Sequence, residues 1–154
     1  MNLLSFFTGR KKSFFSKEDE ERMVQAIRFA EHQTSGEVRL YIESHCSFIN
    51  PIDRAKELFV SLKMSETKDR NGVLLYFAMK DRQMAIWGDE GIHQKMGQAF
   101  WEKEVAVILS KFKNRNFVDG ICHMIQDVGA ALKNHFPYAS DDKNELDDNI
   151  VFGK

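Results

Sequence analysis

Residues 72–78, Gly-Val-Leu-Leu-Tyr-Phe-Ala, carry no polar side chain other than the tyrosine hydroxyl. A strand built from such a run has no solvent face, so it must lie inside a sheet covered on both sides. Periodicity alone leaves a buried helix open as the alternative. The preceding segment narrows the choice. From Glu37 to Ser44, Val38, Leu40 and Ile42 alternate with Arg39, Tyr41 and Glu43, the pattern of a half-buried strand. Between the two runs, Asn50 is placed to cap a helix and Pro51 takes its first position, where no amide donor is needed. Ala55, Leu58, Phe59 and Leu62 then form its apolar stripe. A strand-helix-strand unit of this kind requires a crossover, nearly always right-handed, and parallel strands.

The flanking segments extend the unit. Ser16 and Asp19 resemble a capping box, and Glu18 to Glu21 suit the positive end of a helix dipole. Met23, Ile27 and Ala30 follow at helical spacing, so a first helix is expected from Ser16 to about Thr34, before Gly36. Asp81-Arg82 predicts a hairpin turn, Gln83–Trp87 the return strand, and Gly88-Asp89-Glu90-Gly91 its end. Ile92 to Phe112 reads as one long helical stretch with Gly97 as a break point. Its apolar face is marked by Phe100, Val107, Ile108 and Phe112, with Trp101 beside it. Phe117, Ile121, Ile125, Val128, Leu132 and Phe136 mark a last helix. The expected order is α-β-α-β-β-α-α, an α/β sandwich with a small mixed sheet. Residues 1–15 form an aromatic and basic leader, 16–138 the domain, and 139–154 an acidic, extended or flexible end.

Composition limits function. The chain has 154 residues, enough for one domain with its own core. Lys plus Arg number 22 and Asp plus Glu 23, and this balance argues against a nucleic-acid binder. Two cysteines, Cys46 and Cys122, make no disulfide scaffold, which fits a reducing compartment. No apolar run reaches the ~20 residues of a membrane span, and Met1–Phe15 lacks the order of a signal peptide. The expectation is a cytoplasmic monomer.

Parallel strands and an antiparallel return place acids from distant segments together. Glu37 begins the first strand, Asp69 precedes the second, and Asp89 and Glu90 end the third. All fall at one sheet edge. Asp119, in the first turn of the last helix, is a further candidate. Several carboxylates with turn carbonyls nearby suit a hard cation, Ca²⁺ or Mg²⁺. Equally, each acid alone suits a turn or a helix cap.

Three motifs carry a resemblance. Thr34-Ser35-Gly36-Glu37 before an alternating strand, Arg70-Asn71-Gly72-Val73-Leu74-Leu75-Tyr76, and Gly88-Asp89-Glu90-Gly91-Ile92 together resemble the TPM domain family. The resemblance runs from Ser16 to Phe136, and Asn144-Glu145-Leu146 is similar to the tail of a small cytoplasmic bacterial branch. It implies a Rossmann-like α/β/α sandwich and, in some members, a divalent cation in an acidic groove. A chloroplast member is described as an acid phosphatase linked to photosystem II repair, and an animal member is an accessory receptor subunit. By motif position, Glu37, Asp69 and Asp89 carry over, and Asp119 through the short Val118-Asp119-Gly120. Other members often have an acid directly before Asn-Gly; this chain has Arg70.

Phosphoryl chemistry would need a metal here, since the chain has no P-loop, no Cys-x5-Arg and no Asp-x-Asp. Arg70 and Arg39 are the candidate phosphate holders. The five histidines make no zinc pattern with either cysteine. Leu3, Phe6, Phe7, Phe14 and Phe15, with Arg10, Lys11 and Lys12 among them, either dock on the domain itself or contact a membrane surface or an unknown protein partner. Three functions are therefore carried forward: a divalent-cation-binding module, a metal-assisted phosphatase using the same groove, and an adaptor docking through its leader.

Overall fold

The computed structural model describes residues 14–47, 49–111, 117–138 and 149–153. Helix α1 (Lys17–Glu31) is capped by Ser16, whose side chain accepts from the Asp19 amide. Strand β1 (Glu37–Glu43) follows, then helix α2 (Pro51–Ser61), capped by Asn50 with proline in its first turn. A short 3-10 turn, Met64–Glu66, leads to β2 (Gly72–Ala78), and β3 (Gln83–Gly88) returns antiparallel to it. Helices α3 (Glu90–Met96), α4 (Gln98–Leu109) and α5 (Phe117–His135) complete the described helices, and β4 (Val151–Phe152) is the last described strand.

The sheet order is β3-β2-β1-β4. β1 and β2 are parallel, with Glu37 opposite Gly72 and Glu43 opposite Ala78, so the crossover expected from the sequence is present. Every residue of β2 is buried, as its unbroken apolar run requires. Val38, Leu40, Ile42, Val73, Leu75, Phe77, Met84 and Ile86 face one core with α1 and α5. Leu74, Tyr76, Ala78 and Ala85 face the second core with Ala55, Leu58 and Phe59 of α2. The result is an α/β/α sandwich on a mixed sheet. Each fully buried apolar side chain contributes roughly 1.5–3 kcal/mol, which puts most of the stabilisation in these two layers.

The stretch after β3 is two helices, split at Gly97, the expected break point, whose φ of 78° is open to glycine and strained for other residues. The structure departs from the sequence-based expectation in two places. On α4 the buried face is Trp101, Glu104 and Ile108, whereas Val107 is exposed; Phe112 lies outside the described residues. The end read as extended or flexible contributes a strand: Tyr41 pairs with Val151 and Ile42 with Phe152, in parallel. Residues 139–148 lie outside the described set. No described helix is long and apolar enough to cross a membrane.

Candidate functional site

The N-terminal ends of β1 and β2 meet the C-terminal end of β3, and backbone hydrogen bonds tie the three segments together. The Glu37 amide donates to the Asn71 carbonyl at 3.3 Å, the Asp89 amide to Gly72 at 2.9 Å, and the Gly91 amide to Arg70 at 2.9 Å. The backbone at Gly91 lies so close to the Asp69–Arg70 loop that a Cβ there would stand 2.2 Å from the Asp69 carbonyl. Glu37, Asp69, Asp89 and Glu90 therefore do share one edge, as the topology implied.

Their states differ. Glu37 and Asp89 are buried, at 2 % and 4 % exposure, while Asp69 and Glu90 face solvent. The Asp89 carboxylate is already engaged. It accepts from Arg70 Nε and Nη2, both at 2.8 Å, and from the Glu90 amide at 2.7 Å, which caps α3. A bidentate fork of this kind is the strongest geometry for an arginine–carboxylate pair. It holds the Arg70 guanidinium above its ordinary pKa, first through the hydrogen bond and then through the Asp89 charge. Arg70 reaches Asp89 from a left-handed backbone, φ 51°, and half of its side chain stays in solvent.

Asn71, from the middle of the Arg70-Asn71-Gly72 motif, is 1 % exposed. Its amide nitrogen donates to Ser35 Oγ at 3.3 Å and its backbone N–H to Thr67 Oγ1 at 3.3 Å. Its Oδ1 is buried and has no hydrogen-bond partner among the described residues. An orphaned buried amide oxygen costs about 1–3 kcal/mol, so it marks a place where a donor or cation would be favoured.

Asp119 is not part of this edge. Arg22 and Asp119 pair near the starts of α1 and α5, whereas Ala30 and Gly129 touch farther along, so the two helices run side by side in one direction. Leu132 is the residue that packs at Gly36. At ~1.5 Å per residue, Asp119 lies about 20 Å from Leu132 along α5. Phe117 instead meets Phe77, near the opposite end of β2, at 5.8 Å. Arg39 lies two positions along β1 from Glu37, on the same face, half-buried, with its Nε buried and lacking an acceptor among the described residues. Among the described residues, no three His, Cys, Asp or Glu side chains form a ready metal-binding group. Any cation at this edge would therefore have to use amide and backbone oxygens beside the carboxylates.

The leader divides. Phe14 and Phe15 pack half-buried against the larger core, and Phe15 stacks on Phe117 at 6.4 Å. These two rings are docked on the domain. Leu3, Phe6 and Phe7 lie outside the described residues.

The opposite ends of β1 and β2 hold a second buried carboxylate. Glu43 accepts from Arg54 Nε at 2.9 Å, Arg54 Nη2 at 3.1 Å and Tyr76 Oη at 2.9 Å. Burial, and then hydrogen bonds with Cys46 and Glu43, push the Tyr76 phenol far above its ordinary pKa. Every partner in this network is in place.

Known structures share the architecture. The BA42 protein of the psychrophilic bacterium Bizionia argentinensis is 40% identical; the match covers 94% of this chain and 99% of BA42, with a TM-score of 0.84. The N-terminal domain of a protein from P. gingivalis is 17% identical over 82% of this chain and 83% of that one, with a TM-score of 0.68. The N-terminal domain of the cg2496 protein from Corynebacterium glutamicum is 13% identical over 77% and 74%, with a TM-score of 0.60. The last two share the fold. No curated protein matches the chain. The family model described as the TPM domain matches residues 10–131, and with that span covered the chain belongs to the TPM domain family.

Proposed function

We propose that the chain is a divalent-cation-binding module, taking Ca²⁺ or Mg²⁺ at the edge formed by residues 35–37, 69–72 and 89–91. The observation that carries this reading is the buried Asn71 Oδ1, without a donor among the described residues, at the edge where Glu37 and Asp89 are also buried. Hard cations take carboxylate, amide and backbone oxygens together, which is the donor chemistry available here. Glu37 and Asn71 would supply the sheltered oxygens, and Asp69 and Glu90 the exposed ones. Asp89 would join only by giving up Arg70, so the guanidinium competes with the metal for one ligand. The cation would lock the three segments together and shape that end of the sheet for a partner or an anionic ligand. The 40% identity to a bacterial protein and two free cysteines support a bacterial, cytoplasmic setting.

Amide NMR of the full chain during Ca²⁺ and then Mg²⁺ titration tests this. Saturable shifts confined to Gly36–Glu37, Asp69–Gly72 and Gly88–Gly91 are expected. Diffuse shifts without saturation at millimolar metal would sink the reading.

A metal-assisted phosphatase at the same edge is the second reading, favoured by the half-exposed Arg70 guanidinium, which could hold a phosphate. It requires saturable phosphomonoester turnover that Asp89→Asn abolishes.

A further inference from the structure

Helix α4 joins α3 at Gly97 and lies between the β3 edge and α5. Near Gly97 it is tied down: Trp101 Nε1 donates to His93 Nδ1 at 3.1 Å, and the Trp101 ring packs on Gly88. Farther along, its buried face is interrupted by an acid. Glu104 is 8 % exposed, on a surface otherwise made of Trp101 and Ile108. It lines a cavity of about 260 Å³ between α4 and α5, together with Asp127, His123, Ile108 and Met124. Two carboxylates from two helices thus line one recess with an apolar floor, Glu104 buried and the Asp127 side chain 44 % exposed.

The charged neighbours do not resolve the pairing in favour of two anions. From α4 comes Lys103, and just after it Lys111; both also line the recess. From α5, His123 Nε2 stands 3.9 Å from Asp127 Oδ1, with its side chain 72 % exposed. β3 turns the apolar Met84 and Ile86 toward this layer, and the α3 imidazole of His93 is occupied by Trp101. Among the described residues, no cation is hydrogen-bonded to Glu104. A buried carboxyl facing a second carboxylate across one recess is best accommodated with its proton on.

We propose that Glu104 and Asp127 form a proton-sharing clasp that holds α4 against α5 and loosens as the solution becomes alkaline, making α4 a pH-responsive arm hinged at Gly97. Burial first, and then the charge and hydrogen bond of Asp127, push the Glu104 carboxyl up to about 7, with Lys103 pulling weakly the other way. The sign follows from linkage. Between the ordinary glutamate range and pH 7 the folded chain holds a proton that the unfolded chain has lost. The clasp is therefore complete in mild acid, weakens as pH rises toward 7, and is lost above it. Each pKa unit of difference is tenfold in the opening equilibrium, so the whole effect lies between about ten- and three-hundredfold.

The test uses the full chain. Hydrogen-exchange protection factors for Trp101–Ile108, corrected for intrinsic rates, should fall by that factor between pH 5 and pH 8.5. Glu104→Gln, which imitates the protonated acid, should remove the fall and keep α4 protected at high pH. ¹³C NMR of the Glu104 carboxyl reads the same quantity in the unaltered chain and does not depend on the variant folding. A midpoint near the ordinary glutamate value would overturn the clasp. So would an unchanged fall in Glu104→Gln. If His123→Asn alone abolished the fall, the imidazole would be the sensor and the carboxyl pair would not.

Discussion

The two ends of the parallel β1–β2 pair each bury a glutamate, yet they solve the problem differently. At the C-terminal end, Glu43 receives three hydrogen bonds, two from Arg54 and one from Tyr76, and the network closes on itself. At the N-terminal end, Glu37 lies beside Asn71, whose Oδ1 is buried and has no hydrogen-bond partner among the described residues, and Arg70 is committed to Asp89 while half in solvent. A completed buried network rigidifies the fold, whereas an incomplete one costs stability and persists where something else completes it. The same strands therefore carry a structural carboxylate at one end and a candidate ligand at the other.

The sharpest way to break this comparison is at the closed end. Arg54→Met removes the cation from a carboxylate whose side chain is only 6 % exposed. Stranding a buried charge costs about 3 kcal/mol, at the lower end of the usual range because a quarter of the Arg54 side chain is exposed. Urea denaturation reads this directly, and a loss no larger than a surface mutation would mean that Glu43 is better solvated than its burial indicates. Next comes Gly91→Ala. The added carbon would meet two backbone carbonyls, Asp69 at 2.2 Å and Arg70 at 2.7 Å, which cannot rotate away as a side chain would. Overpacking of this kind costs about 2 kcal/mol, and NMR shift changes should concentrate at residues 69–72. A silent substitution would show that the loop is free to move and the edge not built by that contact.

Much of this layout could be read before any coordinates. Asn50-Pro51, the alternation of Val38, Leu40 and Ile42, and the unbroken 73–78 run are local signals, and each element they imply is present. From these the meeting of Glu37, Asp69 and Asp89 at one edge follows by topology. What escaped depends on tertiary facts. Val151–Phe152 is too short to show a period, and only its pairing with β1 makes it a strand. Asp119 is a candidate from its place in the first turn of the last helix and from its short motif, but whether α1 and α5 run in the same direction is not written in either helix. The Arg70–Asp89 fork spans 19 residues and requires a left-handed φ at Arg70. The burial of the Asn71 amide and of Glu104, a single acid among apolar positions, is set by packing between elements and not by any local pattern.

At the open end the effects are smaller and appear through ligand. If the edge binds a cation, metal at tenfold over its Kd should add about 1.4 kcal/mol to unfolding stability. Glu37→Gln should remove that increment while leaving the Arg54 network, and the rest of the chain's stability, near its starting value. An increment that survives Glu37→Gln would place the cation elsewhere.

Arg70→Gln separates the two ends most cleanly. The Asp89 side chain is only 5 % exposed, but the Arg70 side chain that meets it is half in solvent, so water and the glutamine amide can replace part of what the guanidinium gives. The unfolding midpoint should fall by less than in Arg54→Met. The Asp89 carboxylate keeps the Glu90 amide as a donor and so keeps its cap on α3, but it loses the guanidinium that competes with a metal. Cation affinity, followed by the same amide shifts, should therefore rise several-fold and become more sensitive to salt. Unchanged affinity would mean that Asp89 only caps α3, and the cation would rest on the oxygens of Glu37, Asn71 and the 69–72 turn. Weaker binding would mean that Arg70 holds the site in shape, making its fork with Asp89 as structural as the Arg54 fork with Glu43.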